Sequence, residues 1–254
     1  MGGVVRLRDV AVGEGRVKIA APLCSPTLEA LLEEAGRVTA AGVDVAEWRA
    51  DYLLASRPDA PLEELPAALR ERLGATPLLL TVRSAEEGGQ VTLDDAAYAA
   101  AVSALLDGGA GDAVDLELAR GRVLPSLVDR AREVGAQVLV SSHDVTGTPS
   151  AAEMADRLAA MAAAGADVVK IAVTARDPLD VIALLEATCT ADRELDVPVV
   201  TMAMGPLGLV SRLCGEVFGS AVTFGSVDRA SAPGQIDVAR LRDVVGLVHE
   251  HAAR

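Results

Sequence analysis

Residues 137–173 read QVLVSSHDVTGTPSAAEMADRLAAMAAAGADVVKIAV, and this stretch decides the fold. It opens on a short β-branched run, 137–143 (QVLVSSH), and closes on another, 167–173 (DVVKIAV). Between them, Ala151 to Ala163 carries apolar residues at three- and four-residue intervals, the mark of a helix with one buried stripe. The apolar parts of both runs are nearly continuous, as expected of strands covered on both faces of a parallel sheet. The stretch therefore predicts a strand, a crossover helix and a second, parallel strand.

The same unit recurs along the chain. Further strands are expected at 17–23 (VKIAAPL), 43–49 (VDVAEWR), 77–83 (PLLLTVR), 112–118 (DAVDLEL), 198–204 (PVVTMAM) and 221–225 (AVTFG). Covering helices are expected at Thr27 to Ala40, Leu93 to Leu106 and Ile236 to Val248. Eight βα units about thirty residues apart fit a closed (β/α)8 TIM barrel, because an open doubly wound sheet usually stops at five or six strands. The expectation is an α/β fold with one domain spanning 1–254. No GxGxxG or GxxxxGK[ST] loop is present to cradle a nucleotide's phosphates.

Composition narrows the function classes. Hydrophobic residues make up 51% of the chain, enough for a large core, but aromatic residues only 2%, too few for platforms that stack bases. The net charge of −14 repels nucleic acid and anionic membranes, so neither is an expected partner. Cys24, Cys189 and Cys214 lack zinc-like spacing and read as reduced, mostly buried thiols. Residues 1–9 (MGGVVRLRD) lack the apolar core of a signal peptide, and no window holds eighteen apolar residues without a charge. A cytoplasmic location is expected.

In a parallel barrel the chemistry gathers at the C-terminal ends of the strands. There the sequence places Glu47, Arg49 and Asp51; Arg83 and then Glu86-Glu87-Gly88-Gly89; Asp115 and Glu117; Ser141-Ser142-His143-Asp144; and Lys170. Gly205, Ser211-Arg212 and the segment 231–235 (SAPGQ) follow. A single carboxylate–arginine pair in this layer has a structural reading as an ion pair. Lys170, inside VVKIAV, is more demanding: a buried ammonium must be paired or neutralised. Pairing would fall to Asp115 or Glu117. The functional reading is an amine nucleophile whose neutral form is favoured by burial and nearby arginine charge. His143, one strand away, is the one histidine outside the last helix; beside Lys170 it reads as an acid–base group rather than a packed core residue. His249 and His251 are two apart on a helix, face different ways and receive no role.

Taken together and in order, these blocks resemble the signatures of the type I 3-dehydroquinate dehydratases, over essentially the whole chain. They are Glu47-Trp48-Arg49 with Asp51, Thr81-Val82-Arg83 with Glu87-Gly88-Gly89, Asp115-Leu116-Glu117, Ser142-His143-Asp144 with Thr148-Pro149, Lys170, Met204-Gly205 with Ser211-Arg212, and Ser231 to Gln235. The resemblance implies a shikimate-pathway or quinate-catabolic lyase that converts 3-dehydroquinate to 3-dehydroshikimate through a lysine Schiff base, with no metal and no organic cofactor. It implies Lys170 as the imine-forming lysine, His143 as general acid/base and Glu87 as the carboxylate that orients the histidine. Glu47, Arg49, Arg83, Arg212, Ser231 and Gln235 fall at substrate-binding positions, Arg212 being suited to a carboxylate. A homodimer is also implied. The Pro/Gly-containing 231–235 segment is expected to close over the substrate.

One departure stands out. Where some relatives offer a serine at the end of the first strand, this chain has Ala21-Pro22-Leu23. Two other readings of the residues stay open at this point: a class I aldolase, since a lysine on the sixth strand serves either chemistry, and a catalytically silent barrel used as a binding module.

Overall fold

A computed structural model describes residues 3–227 and 232–252. The chain enters through a hairpin, β1 (Val5–Leu7) and β2 (Val10–Val12), turned at Arg8, which adopts a positive φ of 54°. Eight barrel strands follow: β3 (Lys18–Leu23), β4 (Val45–Arg49), β5 (Leu78–Thr81), β6 (Ala113–Glu117), β7 (Gln137–Asp144), β8 (Val168–Thr174), β9 (Val199–Met204) and β10 (Val222–Ser226). A two-residue strand, β11 (Ile236–Asp237), pairs outside β10.

The helices are α1 (Leu28–Ala40), α2 (Ala50–Ser56), α3 (Leu65–Leu73), α4 (Asp95–Asp107), α5 (Leu124–Glu133), α6 (Ala151–Ala163), α7 (Pro178–Glu194), α8 (Leu209–Cys214) and α9 (Val238–Ala252). Local chemistry starts several of them. The Thr27 and Asp94 side chains cap α1 and α4, and Ser150 with Glu153 forms a capping box on α6. Among the described residues no helix is long and apolar enough to cross a membrane.

All pairings from β3 through β9 are parallel, and β10 pairs with β3 on the far side. The remaining gap is bridged where the Ala221 N–H donates to the Val199 carbonyl at 2.7 Å, which closes the ring into the expected TIM barrel. Strand periodicity then divides the side chains. Ile19, Ala46, Trp48, Leu80, Val114, Val140 and Ile171 point outward into the large core beneath the helices. Their neighbours Ala20, Val45, Leu79, Ala113, Leu139, Val168, Val200 and Val222 point inward, where Leu7 and Val12 of the hairpin close the bottom.

Two expectations change. Ile236 is held in β11, so the last helix begins at Val238 and runs on to Ala252. The three cysteines are free but half-buried rather than buried.

Candidate active site

One pleat step above the apolar layer, the inward positions become polar: Glu47 on β4, Thr81 on β5, Asp115 on β6, Ser141 on β7 and Lys170 on β8. A further step places Arg49, Arg83, Glu117 and His143. A cavity of about 280 Å³ opens there, and Glu47, Arg49, Arg83, Glu87, His143, Lys170, Arg212 and Gln235 all line it. Eight of the nine residues expected to have catalytic or substrate-binding roles thus meet in one space. The ninth, Ser231, lies outside the described residues.

Lys170 is 4% exposed, and its ammonium is held from several sides. Its Nζ donates to Asp115 Oδ2 at 3.1 Å, lies 3.6 Å from Glu47 Oε1 and faces the Phe224 ring at 4.9 Å from the centroid. Of the two partners expected from sequence, Asp115 is present and Glu117 is not: Glu117 instead takes Arg83, Arg120 and the Ser84 N–H. Glu47, which also accepts from the Thr81 hydroxyl at 3.1 Å, supplies the second carboxylate.

Arg83 organises the next layer. Its Nη1 donates to Glu87 at 3.0 Å, Ser141 at 3.1 Å and Glu117 at 3.2 Å, while Nη2 lies 2.8 Å from Asp115. Burial works against this guanidinium, but Asp115, Glu87 and Glu117 outweigh it and keep it firmly charged. Burial likewise opposes the Asp115 carboxylate, yet Arg83 and Lys170 hold it below the usual carboxylate range. Asp51 grips Arg49 through both prongs at 2.7 and 2.8 Å and accepts from the Gln90 N–H at 3.1 Å, joining the end of β4 to the loop that carries Glu87.

That loop depends on its glycines. Gly88 has φ +84°, and a Cβ on Gly89 would sit 1.9 Å from the Arg83 carbonyl oxygen. The tight turn returns Glu87 over the barrel mouth, where its Oε2 meets His143 Nδ1 at 2.9 Å. Burial pushes the Glu87 carboxyl up to about 7, more than Arg83 pulls it down. Burial, reinforced by Arg83 and Lys170, holds His143 well below its ordinary value, so the imidazole is neutral. With Nδ1 donating to an ionised Glu87, Nε2 is left as a base.

Arg212, on α8, differs from the other buried cations. It is 1% exposed, touches Met202 Sδ at 3.8 Å and the Pro233 carbonyl at 3.4 Å, and its Nε has no partner. Among the described residues no carboxylate pairs with it, and burial pushes it down to about 10. A buried guanidinium facing a cavity without a counter-ion is a ready anion site. Met202, Met204, Val145 and Phe224 supply an apolar wall. Pro22 stands beside Glu47 in the β3–β4 register, so the β3 side chain at that position carries no hydroxyl.

Sequence reasoning gave no role to Thr81, Ser141, Asp51, Tyr98 or Phe224. Tyr98 carried a usable signal: a buried tyrosine needs a partner, and its hydroxyl accepts the Glu117 N–H at 3.0 Å. Asp51 carried a local one, lying two residues from the Arg49 it grips, whereas Thr81, Ser141 and Phe224 depend on which strands become neighbours.

Comparison with known proteins adds an independent finding. The family model described as Type I 3-dehydroquinase matches residues 19–252. A 3-dehydroquinate dehydratase of Syntrophotalea carbinolica is 45% identical over 250 residues, covering 96% of this chain and 98% of that protein. One from Listeria welshimeri is 42% identical, covering 97% and 98%. Among solved structures, the type I 3-dehydroquinate dehydratase of Clostridium difficile carrying covalently modified comenic acid superposes with a TM-score of 0.94 at 36% identity, covering 99% of this chain and all of that one.

Proposed function

This chain belongs to the type I 3-dehydroquinase family, and on that premise we propose that it dehydrates 3-dehydroquinate to 3-dehydroshikimate through a Schiff base on Lys170, with His143 as general acid/base. The observation that carries the proposal is the combination, in one cavity, of a buried lysine side chain, a neutral histidine and Arg212, which pairs with no carboxylate among the described residues. A cyclic ketone bearing a carboxylate needs all three.

The roles follow from the chemistry. Arg212 takes the substrate carboxylate and so fixes the ring in the cavity. Lys170, entering as its ammonium, condenses with the ketone: two of its N–H protons leave with the carbonyl oxygen as water, and the protonated imine that remains is a stronger electron sink than the ketone itself. His143 Nε2 then removes a proton from the carbon beside the imine, and the electron pair is held as an enamine. Collapse of the enamine expels the hydroxyl, which leaves as water with a proton from His143, and hydrolysis of the product imine by one water restores the ketone and frees Lys170. Glu87 fixes the imidazole tautomer. Glu47, Arg49, Arg83, Ser231 and Gln235 are proposed to bind the substrate; Arg49 and Arg83 would do so while their carboxylate partners hold their rotamers. The proposal includes a homodimer in the cytoplasm.

The test is borohydride reduction in the presence of 3-dehydroquinate followed by peptide mass mapping. An adduct on Lys170 is expected. An unmodified Lys170 under conditions of turnover would sink the Schiff-base assignment.

A further inference from the structure

Aromatic residues are scarce here, with two Phe in 254 residues, yet one of them, Phe224 on β10, sits with its ring centroid 4.9 Å from Lys170 Nζ. That is within cation–π reach. Phe224 is 5% exposed and forms the floor of the cavity, separating it from a small apolar void below. The nitrogen's other neighbours are the carboxylates of Asp115 at 3.1 Å and Glu47 at 3.6 Å. The two kinds of contact respond differently to a change at the nitrogen. A carboxylate binds N–H protons one by one, whereas the negative face of a ring attracts the cation however many N–H bonds it has.

Imine formation is such a change. The ammonium and the ketone become a protonated imine and one water: nitrogen gives up two protons and gains a double bond to carbon, and the carbonyl oxygen leaves with those two protons. The single positive charge stays on nitrogen, but its N–H bonds fall from three to one. Two carboxylates can no longer both be served, while the ring's attraction persists.

We infer that Phe224 acts on the reacting nitrogen: its ring face holds the cation of the protonated imine in preference to the neutral carbinolamine that precedes it, and so raises the fraction of condensed substrate present as the protonated imine. The inference rests on Lys170 being the imine-forming residue. Conversion to the enamine removes the charge, so the ring assists condensation and not proton abstraction.

Fluorinated phenylalanines tell this role from packing, since 4-fluoro, 3,5-difluoro and 3,4,5-trifluoro rings keep nearly the same shape while progressively weakening the negative face. Each is installed at position 224, and borohydride trapping, kcat, KM and melting temperature are measured. Trapped imine at subsaturating 3-dehydroquinate and kcat/KM should fall stepwise, by about five- to thirtyfold at the trifluoro ring, with kcat and melting temperature held. A flat series with normal trapping, or losses that track melting temperature instead of fluorine count, overturns the inference and leaves the Schiff base standing. No Lys170 adduct in the unsubstituted protein overturns both.

Discussion

The two ends of the barrel are built on the same strands and differ in almost everything else. At the strand starts Val45, Leu79, Ala113, Leu139, Val168 and Val200 face inward as an apolar layer sealed by the hairpin. Two residues later on the same strands stand Glu47, Thr81, Asp115, Ser141, Lys170 and Met202. The bottom layer stabilises directly, at about 1.5–3 kcal/mol for each large side chain buried. The upper layer contributes far less for its size, because desolvating its charges offsets most of their attraction. Stability is concentrated at one end and reactivity at the other, a single pleat step apart.

Removing Lys170 sets the two ends most sharply against each other. In Lys170→Met, turnover of 3-dehydroquinate should fall to the background rate and borohydride should leave no adduct. Asp115 keeps Arg83 and Ser141, and Glu47 keeps the Thr81 hydroxyl, so the loss of stability in a denaturant titration should stay below the ~3–5 kcal/mol of a fully orphaned buried charge. His143→Gln should be the next largest change, lowering kcat by roughly 10²- to 10⁴-fold. Its imine should still trap on Lys170; loss of the adduct as well would mean that the histidine is needed to build the imine.

The apolar layer was readable from sequence because a buried parallel strand announces itself in its own residues. All eight barrel strands lie within about two residues of their expected limits. The hairpin was not, since β1 and β2 hold three residues each and their burial has meaning only against the barrel floor. In the charged layer, the same alternation that identified Glu47 and Arg49 as neighbours on one face could not say which strand's carboxylate would reach Lys170. Asp115 and Glu117 are equivalent by parity; the stagger between β6 and β8 separates them by one pleat step and gives Asp115 to the lysine. Arg83 shows the same limit. Its type and position were legible, but its four simultaneous partners come from three different segments.

Cutting into the bottom layer gives the converse of the lysine experiment. Leu139→Ala should cost about 2–5 kcal/mol of unfolding free energy, through lost burial and the cavity left behind. Since Ser141 and His143 lie further along the same strand, kcat and KM of the folded fraction should be unchanged. A raised KM with little loss of stability would show that the floor helps to shape the site.

The smallest effect, and the most discriminating, concerns Glu87, whose carboxyl rises from an ordinary 4.5 to about 7 through burial. Between those values the folded chain keeps a proton that the unfolded chain has lost. The stabilising contribution is therefore complete below pH 4.5 and disappears as pH rises through about 7. Glu87→Gln, which cannot ionise, should match the parent's stability in acid and gain on it steadily up to neutrality, as melting curves across that range would show. Activity should move the other way. Ionised Glu87 accepts the His143 Nδ1 proton and leaves Nε2 free, so the parent's kcat/KM should climb through pH 7, and this inflection should vanish in the glutamine variant. Burial, together with Arg83 and Lys170, already keeps His143 neutral well below that pH, so the histidine's own ionisation cannot imitate the signal. An unchanged inflection in Glu87→Gln would assign it to another group and reduce Glu87 to an orienting contact.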